Sequence, residues 1–207
     1  MRVLLVGFGP FSGAPFNPSA VLAEALARRR RPALAGIERA THVFATTYAA
    51  VDGDLPKLFA RHPDIVLMFG LAGRRRQLCI ETRARNAVAV LFPDASGHRP
   101  QHGVIAPGAP AALKAAAPFA RLLGAVRLSG FPARLSNDAG RYLCNYAYWG
   151  ALQRTRGGRP LVQFVHIPPV ARNPRPGRRT HRQARSLAAL IAAAEALLIA
   201  LVAASRR

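Results

Sequence analysis

Strand-like and helix-like segments alternate along this chain. After Arg2, residues 2–8 form a continuous apolar run, the pattern of a strand buried on both faces. Asn17-Pro18 then supplies a helix N-cap and a first helical position. Ser19 to Arg30 follows, with Val21, Leu22, Ala25 and Leu26 at helical spacing. Residues 37–46 read as a second strand and 48–61 as a second helix. Asp64 to Phe69 is a short apolar run ended by Gly70, which predicts a central strand. Residues 78–92 read as extended, and Pro93, Gly97 and Pro100 mark a long loop. A helix is expected over 110–124, a strand over 131–135 and a helix over 142–154. Residues 160–166 are the last strand, closed by Pro168-Pro169. A final helix over 187–203 carries Leu187, Leu190, Ile191, Ala194, Leu198 and Leu201 as one apolar stripe. This alternation predicts an α/β fold built of parallel βαβ units. In such sheets, sites gather at the carboxyl ends of the strands. The turn after Phe8, the segment after Gly70 and His166 all fall there.

The 207 residues suit one α/β domain spanning 1–207, and 51% apolar content supplies its core. Cys79 and Cys144 are too few for a disulfide framework and point to a reducing compartment. Residues 1–8 lack the cleavage site of a secretory signal. The apolar tail from Ser186 to Ala204 is alanine-rich, carries Glu195 in its middle, and is at the short end for a membrane span.

The net charge of +21 adds less than its size suggests. Only Lys57 and Lys114 are lysines and the other 28 basic residues are arginines, a skew that points to coding bias rather than to selection for a polyanion. The charge still attracts polyanions non-specifically. Arg172, Arg175, Arg178, Arg179, Arg182 and Arg185 cluster, but few aromatics interleave with them. That pattern suits a solvated or oligomer-facing loop better than a base-stacking surface. Gly7, Gly9 and Gly13 form a glycine turn after the first strand, an imperfect dinucleotide signature stiffened by Pro10.

Ser136 to Leu152 carries the most chemistry. Gly140 interrupts the chain before a helix-forming run, so Cys144 falls in a first helical turn. Free NH groups and the helix dipole there favour a thiolate. The bland alternative is a small buried cysteine. His166 ends a central strand, where it is well placed for a rim site, although a hydrogen-bonded structural histidine is the commoner case. Glu81 is a lone acid in CIETRARN, between an active-site carboxylate and a surface ion pair in its possible roles. Cysteine, histidine and carboxylate together would complete a nucleophile, a base and an orienting group.

On these residues the chain resembles the pyroglutamyl peptidase I family, cysteine peptidases that remove N-terminal pyroglutamate. Three blocks carry the resemblance over residues 3–170. They are GFGPFSG…NPS from Gly7 to Ser19, then Gly70, Gly73, Glu81, Ala84 and Asn86, then SNDAGRYLCN from Ser136 to Asn145 with FVHIP at 164–168. The resemblance implies a single-domain, three-layer α/β/α fold with a mostly parallel central sheet. It implies Glu81, Cys144 and His166 as the triad, and Phe8 and Phe11 as aromatics lining a small lactam pocket. Peptides with N-terminal pyroglutamate are the implied substrates, without metal or organic cofactor. A cytoplasmic homo-oligomer such as a tetramer is implied, with neither membrane nor nucleic acid as partner.

Some positions depart from the family. The family has a basic residue where this chain has Thr82, an apolar residue at Arg83, a Ser or Thr at Cys79, an arginine at Leu91, and often Gln at the substrate-side position of Leu71. The missing arginine would weaken oxyanion stabilisation or substrate positioning. Two alternatives to pyroglutamyl hydrolysis therefore stand: a family member with altered or lost specificity, and a basic nucleic-acid-binding module.

Overall fold

The computed structural model describes residues 1–11, 14–155, 157–170 and 186–206. Gly13 and the arginine cluster of 172–185 lie outside the described residues. The strands are β1 (Arg2–Phe8), β2 (Glu38–Phe44), β3 (Ile65–Leu71), β4 (Leu78–Glu81), β5 (Arg83–Arg85), β6 (Ala112–Lys114), β7 (Ala133–Ser136) and β8 (Leu161–Ile167). The helices are α1 (Pro18–Arg28), α2 (Tyr48–Phe59), α3 (Phe119–Leu128), α4 (Leu143–Gln153) and α5 (Leu187–Ser205).

Six strands form one sheet in the order β2-β1-β3-β8-β4-β7. β2, β1, β3 and β8 run parallel, β4 runs antiparallel to β8, and β7 is parallel to β4. The sheet is mostly parallel, as the alternating pattern requires. Strand side chains alternate between its two faces. Val3, Leu5, Ile65, Leu67, Val165 and Ile167 face α1, α3 and α5, whereas Leu4, Val6, Val66, Met68, Val162 and Phe164 face α2 and α4. The result is the expected α/β/α sandwich, with a core on each side of the sheet.

One predicted element is wrong. Of the stretch expected as a helix over 110–124, only residues 119–124 are helical, and residues 112–114 are strand β6, which pairs with β5 in a two-stranded antiparallel ribbon. Helix α3 begins only at Phe119. Pro118 sets that boundary, because proline and the residue before it resist a helix interior. The upstream alanines are held by non-local bonds instead: Asn86 N–H donates to Ala111 O at 2.9 Å, and Ala115 N–H donates to Thr82 O at 3.1 Å. The extended segment expected over 78–92 is likewise only partly strand, since β5 ends at Arg85.

Helix α5 is long and apolar enough to cross a membrane by length and composition, with a mean hydropathy of 2.5. Here it packs on α1, α3 and β3. Glu195, in its middle, is 5% exposed and takes a two-pronged hydrogen bond from Arg31 at 2.9 and 3.1 Å. A buried acid with a dedicated arginine suits a core helix.

The turn after β1 is fixed by its own polar residues. Asn17 caps α1 by accepting from Ser19 N–H, and its amide donates to Gly9 O at 3.0 Å. Ser19 Oγ accepts from Phe8 N–H at 3.0 Å. Here α1 crosses the end of β1 so closely that a Cβ on Gly7 would stand 2.6 Å from Ser19 O. Gly7→Ala must therefore push α1 off the sheet. We expect it to lower stability by about 1–3 kcal/mol, read as a reduced urea midpoint at unchanged slope. An unchanged midpoint would show that α1 can shift freely.

Candidate active site

The antiparallel turn of β4 against β8 builds the site. In this register Cys79 lies opposite His166 and Glu81 lies opposite Phe164. Residues two apart on a strand share a face, so Glu81, Cys79, His166 and Phe164 all point toward α4. Glu81 and His166 are then diagonal neighbours, a spacing that long side chains can bridge. His166 Nδ1 lies 2.8 Å from Glu81 Oε1. Both groups are buried, the glutamate completely. With its Nδ1–H donated to the carboxylate, the imidazole keeps the Nε2 lone pair free to accept a proton.

Glu81 is held from several sides. Arg75, in the loop after β3, donates through one guanidinium nitrogen to Glu81 Oε1 and through the other to Asp138 O. Tyr148 Oη and Gln163 Nε2 each donate to the Glu81 carbonyl at 2.9 Å. Burial alone would push the Glu81 carboxyl up. The hydrogen bond and charge of His166, the Ser136 hydroxyl and the Arg75 guanidinium outweigh it and hold the carboxyl below its ordinary range. Glu81 is therefore ionised at neutral pH.

Cys144 is the second residue of α4. Two devices place it. Gly140 turns the chain at φ 82°, its N–H donating to Asp138 Oδ1 at 3.1 Å, a conformation that favours glycine. Asn145, fully buried, accepts from Arg85 N–H at 2.8 Å and donates to Arg85 O and Ala87 O at 2.8 and 2.9 Å, tying the helix start to the chain after β5. The Cys144 thiol fills the space over Gly70, the β3 partner of His166. A Cβ on Gly70 would stand 2.7 Å from Cys144 Sγ and 2.8 Å from the Phe164 ring. Thiol, imidazole and carboxylate thus lie in sequence across β3, β8 and β4 on one face of the sheet.

The resting state of the thiol differs from the expectation of a thiolate. Burial pushes the Cys144 thiol up to about 12, the Glu81 charge adds to the rise, and Arg75 and the cysteine's own N–H oppose it. The helix start is present, and no side chain caps it, but desolvation wins. Burial therefore favours the neutral thiol over the thiolate at rest.

The other predicted residues take different places. Phe8 is core, with ring centroids 5.7 Å from Phe44 and 6.3 Å from Phe164. Phe164 in turn lies 5.0 Å from the His166 ring, so Phe8 reaches the site through Phe164. Phe11 is half-buried beside Ala14, and Leu71 is half-buried at the end of β3. Leu91 is 74% exposed. Its loop is clamped beside the start of α4 by Ala89 N–H to Arg141 O at 2.6 Å and Tyr142 Oη to Pro93 O at 2.8 Å. Arg83 donates to Asn137 O, and Arg85 pairs with Asp138. Neither is aimed at Glu81. That place belongs to Arg75, which the sequence presents only as one of three consecutive arginines. Among the described residues no group of three or more His, Cys, Asp or Glu could hold a metal ion.

The family described as pyroglutamyl peptidase matches residues 1–207 of this sequence. The chain belongs to that family. It is similar to the pyrrolidone-carboxylate peptidase of Gloeobacter violaceus, 36% identical over 170 residues that cover 81% of this chain and 82% of the relative. The Thermococcus onnurineus protein of the same name is 36% identical over 171 residues, covering 81% and 84%. Among solved structures, a mutant pyrrolidone carboxyl peptidase from Pyrococcus furiosus superposes with a TM-score of 0.86 at 27% identity, covering 99% of this chain and 100% of that one. Pyroglutamyl peptidase I of Bacillus amyloliquefaciens gives 0.80 at 29% identity, covering 98% and 97%. In this member of the pyroglutamyl peptidase family, Gly70 leaves no room for a Cβ between the Cys144 thiol and the Phe164 ring. Gly70→Ala should displace the thiol and the Phe164 ring while leaving the sheet intact. We expect kcat to fall on the order of a hundredfold, as an ångström of misplacement does, with an unchanged far-UV spectrum. Kinetics within threefold of the parent would show that the thiol is not seated there during reaction.

Proposed function

We propose that this protein is a cysteine exopeptidase that releases N-terminal pyroglutamate from peptides, with Cys144 as nucleophile, His166 as base and then acid, and Glu81 as the group that orients His166. The buried contact between Glu81 and His166, on the sheet face where the Cys144 thiol sits, carries this reading. Membership in the pyroglutamyl peptidase family supports the substrate.

The steps follow from the protonation states. His166 Nε2 takes the Cys144 proton as sulfur attacks the pyroglutamyl carbonyl carbon. Imidazolium and thiolate form together, so the cost of a buried thiolate is offset by an adjacent cation. The oxyanion of the tetrahedral intermediate falls at the start of α4, where the Cys144 N–H and the helix dipole favour negative charge. His166 then returns the proton to the leaving amine, and the C–N bond breaks. Water, deprotonated by His166, hydrolyses the thioester. Pyroglutamate leaves and the thiol is restored. Glu81 remains ionised throughout and stabilises the imidazolium.

The lactam is flat and uncharged, which suits aromatic and aliphatic walls. Phe11 and Leu71 are assigned to that wall, with Phe8 backing it through Phe164. A leucine at 71 offers no amide to the lactam, so recognition falls to backbone groups and shape. The reading also carries a cytoplasmic location and a homo-oligomeric state, which sedimentation equilibrium would test.

The direct test is hydrolysis of a pyroglutamyl fluorogenic amide beside prolyl and alanyl amides. Only the first should be cleaved. No cleavage of the pyroglutamyl amide would overturn the reading. Iodoacetamide should modify Cys144, which is partly exposed, before Cys79, which is not, and Cys144→Ala should abolish turnover. Activity surviving that change would remove the nucleophile assignment.

Leu91 supplies a second test. Its loop is fixed against Arg141 and Tyr142, immediately before Cys144, and its exposed side chain has room to be lengthened. Leu91→Arg should raise kcat on the order of tenfold if a positive charge there meets the oxyanion, with KM little changed. An unchanged kcat would mean that transition-state charge is already met within the site.

A further inference from the structure

We infer that Arg75 is a positioning residue for hydrolysis, one that keeps the Glu81 carboxylate ionised and aimed at His166 Nδ1. This rests on the triad proposed above and adds a fourth member to it. Arg75 forks between two acceptors, Glu81 Oε1 and Asp138 O, and also donates to Ser136 Oγ at 3.3 Å. Its side chain is mostly covered, and its carboxylate partner is wholly so. The fork therefore joins the end of β4 to the segment just after β7, which leads through Gly140 into the start of α4. One guanidinium spans the support of the base and the approach to the nucleophile. A planar fork suits two acceptors at a fixed angle, as lysine would not.

The same oxygen of Glu81 receives both Arg75 and His166. A buried carboxylate with a single imidazole partner can surrender its charge by taking a proton. A permanent guanidinium on that oxygen makes protonation unfavourable, because it leaves an uncompensated cation. The groups facing the Glu81 carboxyl are few. They are His166 from β8, Arg75 from the loop after β3, Ser136 from β7, and the Cys144 thiol and Tyr148 hydroxyl from α4. Cys79 on β4 and Asp138 lie beside the guanidinium, with Arg85 pairing to the Asp138 carboxylate. Arg75 is thus the sole permanent cation in direct contact with Glu81 among the described residues.

The sign follows. Removing Arg75 removes a cation that lowers a carboxyl already pushed up by burial, so Glu81 becomes protonated at higher pH. Protonated Glu81 no longer favours imidazolium, and activity is lost on the acid side. In Arg75→Met, the acid limb of kcat/KM against pH should rise by about one to two pH units. At neutral pH kcat should fall on the order of tenfold or more, with KM within twofold. In a Glu81→Gln background, Arg75→Met should change the rate less than about threefold, since its target is gone. The downfield proton resonance of His166 Nδ1–H, read without substrate in histidine-labelled protein, should persist to lower pH in the parent than in Arg75→Met.

Arg75→Lys guards against a variant that fails to fold. It keeps the charge and loses the fork, so the limb should stay within about half a unit while kcat drops severalfold. An acid limb unmoved in Arg75→Met overturns the proposal. So does an equal rate loss in the parent and Glu81→Gln backgrounds, which would mean that Arg75 only braces the 136–138 segment. A parent protein without pyroglutamyl hydrolysis would instead overturn the substrate reading, and the resonance would still decide Arg75.

Discussion

A fully buried carboxylate is the constraint on which this site depends. Taking an ion out of water costs several kcal/mol unless it is paired and hydrogen-bonded. Glu81 can occupy the sheet only because four elements meet it: His166 on β8, Arg75 from the loop after β3, Ser136 on β7, and Tyr148 on α4 holding its backbone. Each partner fixes something else. His166 acquires one tautomer. Arg75 draws the loop after β3 against Asp138. Tyr148 locks α4 to β4, and α4 carries the thiol. The antiparallel pairing of β4 with β8, where the six-stranded sheet changes direction, follows the same requirement, because it sets Glu81 diagonal to His166 with their side chains on one face.

The neutral thiol is a consequence of that arrangement. Glu81 and burial both disfavour a thiolate on Cys144, while the helix start and Arg75 favour one. A helix dipole contributes about 0.3–1 kcal/mol at an exposed site, less than the desolvation of a buried sulfur anion. A cysteine at a helix start is thus not activated by that position alone. In the mechanism proposed above, activation comes when His166 takes the proton, and Glu81 opposes the isolated thiolate while favouring the ion pair.

Much of this was legible in the chain. The apolar runs of β1, β3 and β8 and the capped start of α1 specify their elements locally, and Cys144, His166 and Glu81 stand out by residue type and motif. What the chain withheld is non-local. Strand direction leaves no mark on hydrophobic period, so the antiparallel β4 could not be read. Residues 112–114 are alanine, leucine and lysine, good helix formers that become strand because β5 and Asn86 lie beside them and Pro118 forbids a helix through it. Phe8 sits one shell deeper than its aromatic character suggested, because β1 is buried on both faces to its last residue. Arg75 was hidden in plain view, since only its fork to Glu81 and Asp138 separates it from Arg74 and Arg76.

The charge imbalance makes that last point general for this molecule. Thirty basic residues face nine acids, so most arginines have no carboxylate available to them and must be solvated. An arginine count is therefore uninformative, whereas each acid is scarce and worth following. Three of the nine, Glu81, Asp94 and Glu195, are buried to 6% exposure or less. Each anchors a separate part of the fold. Glu195 joins α5 to Arg31. Asp94 accepts from Tyr48 N–H at the start of α2 and from Ser96 and His98 N–H, closing the loop that carries Leu91. Glu81 organises the site. In a chain this basic, the arginines that matter are those the buried acids select, and the acid at the centre of the sheet selects Arg75.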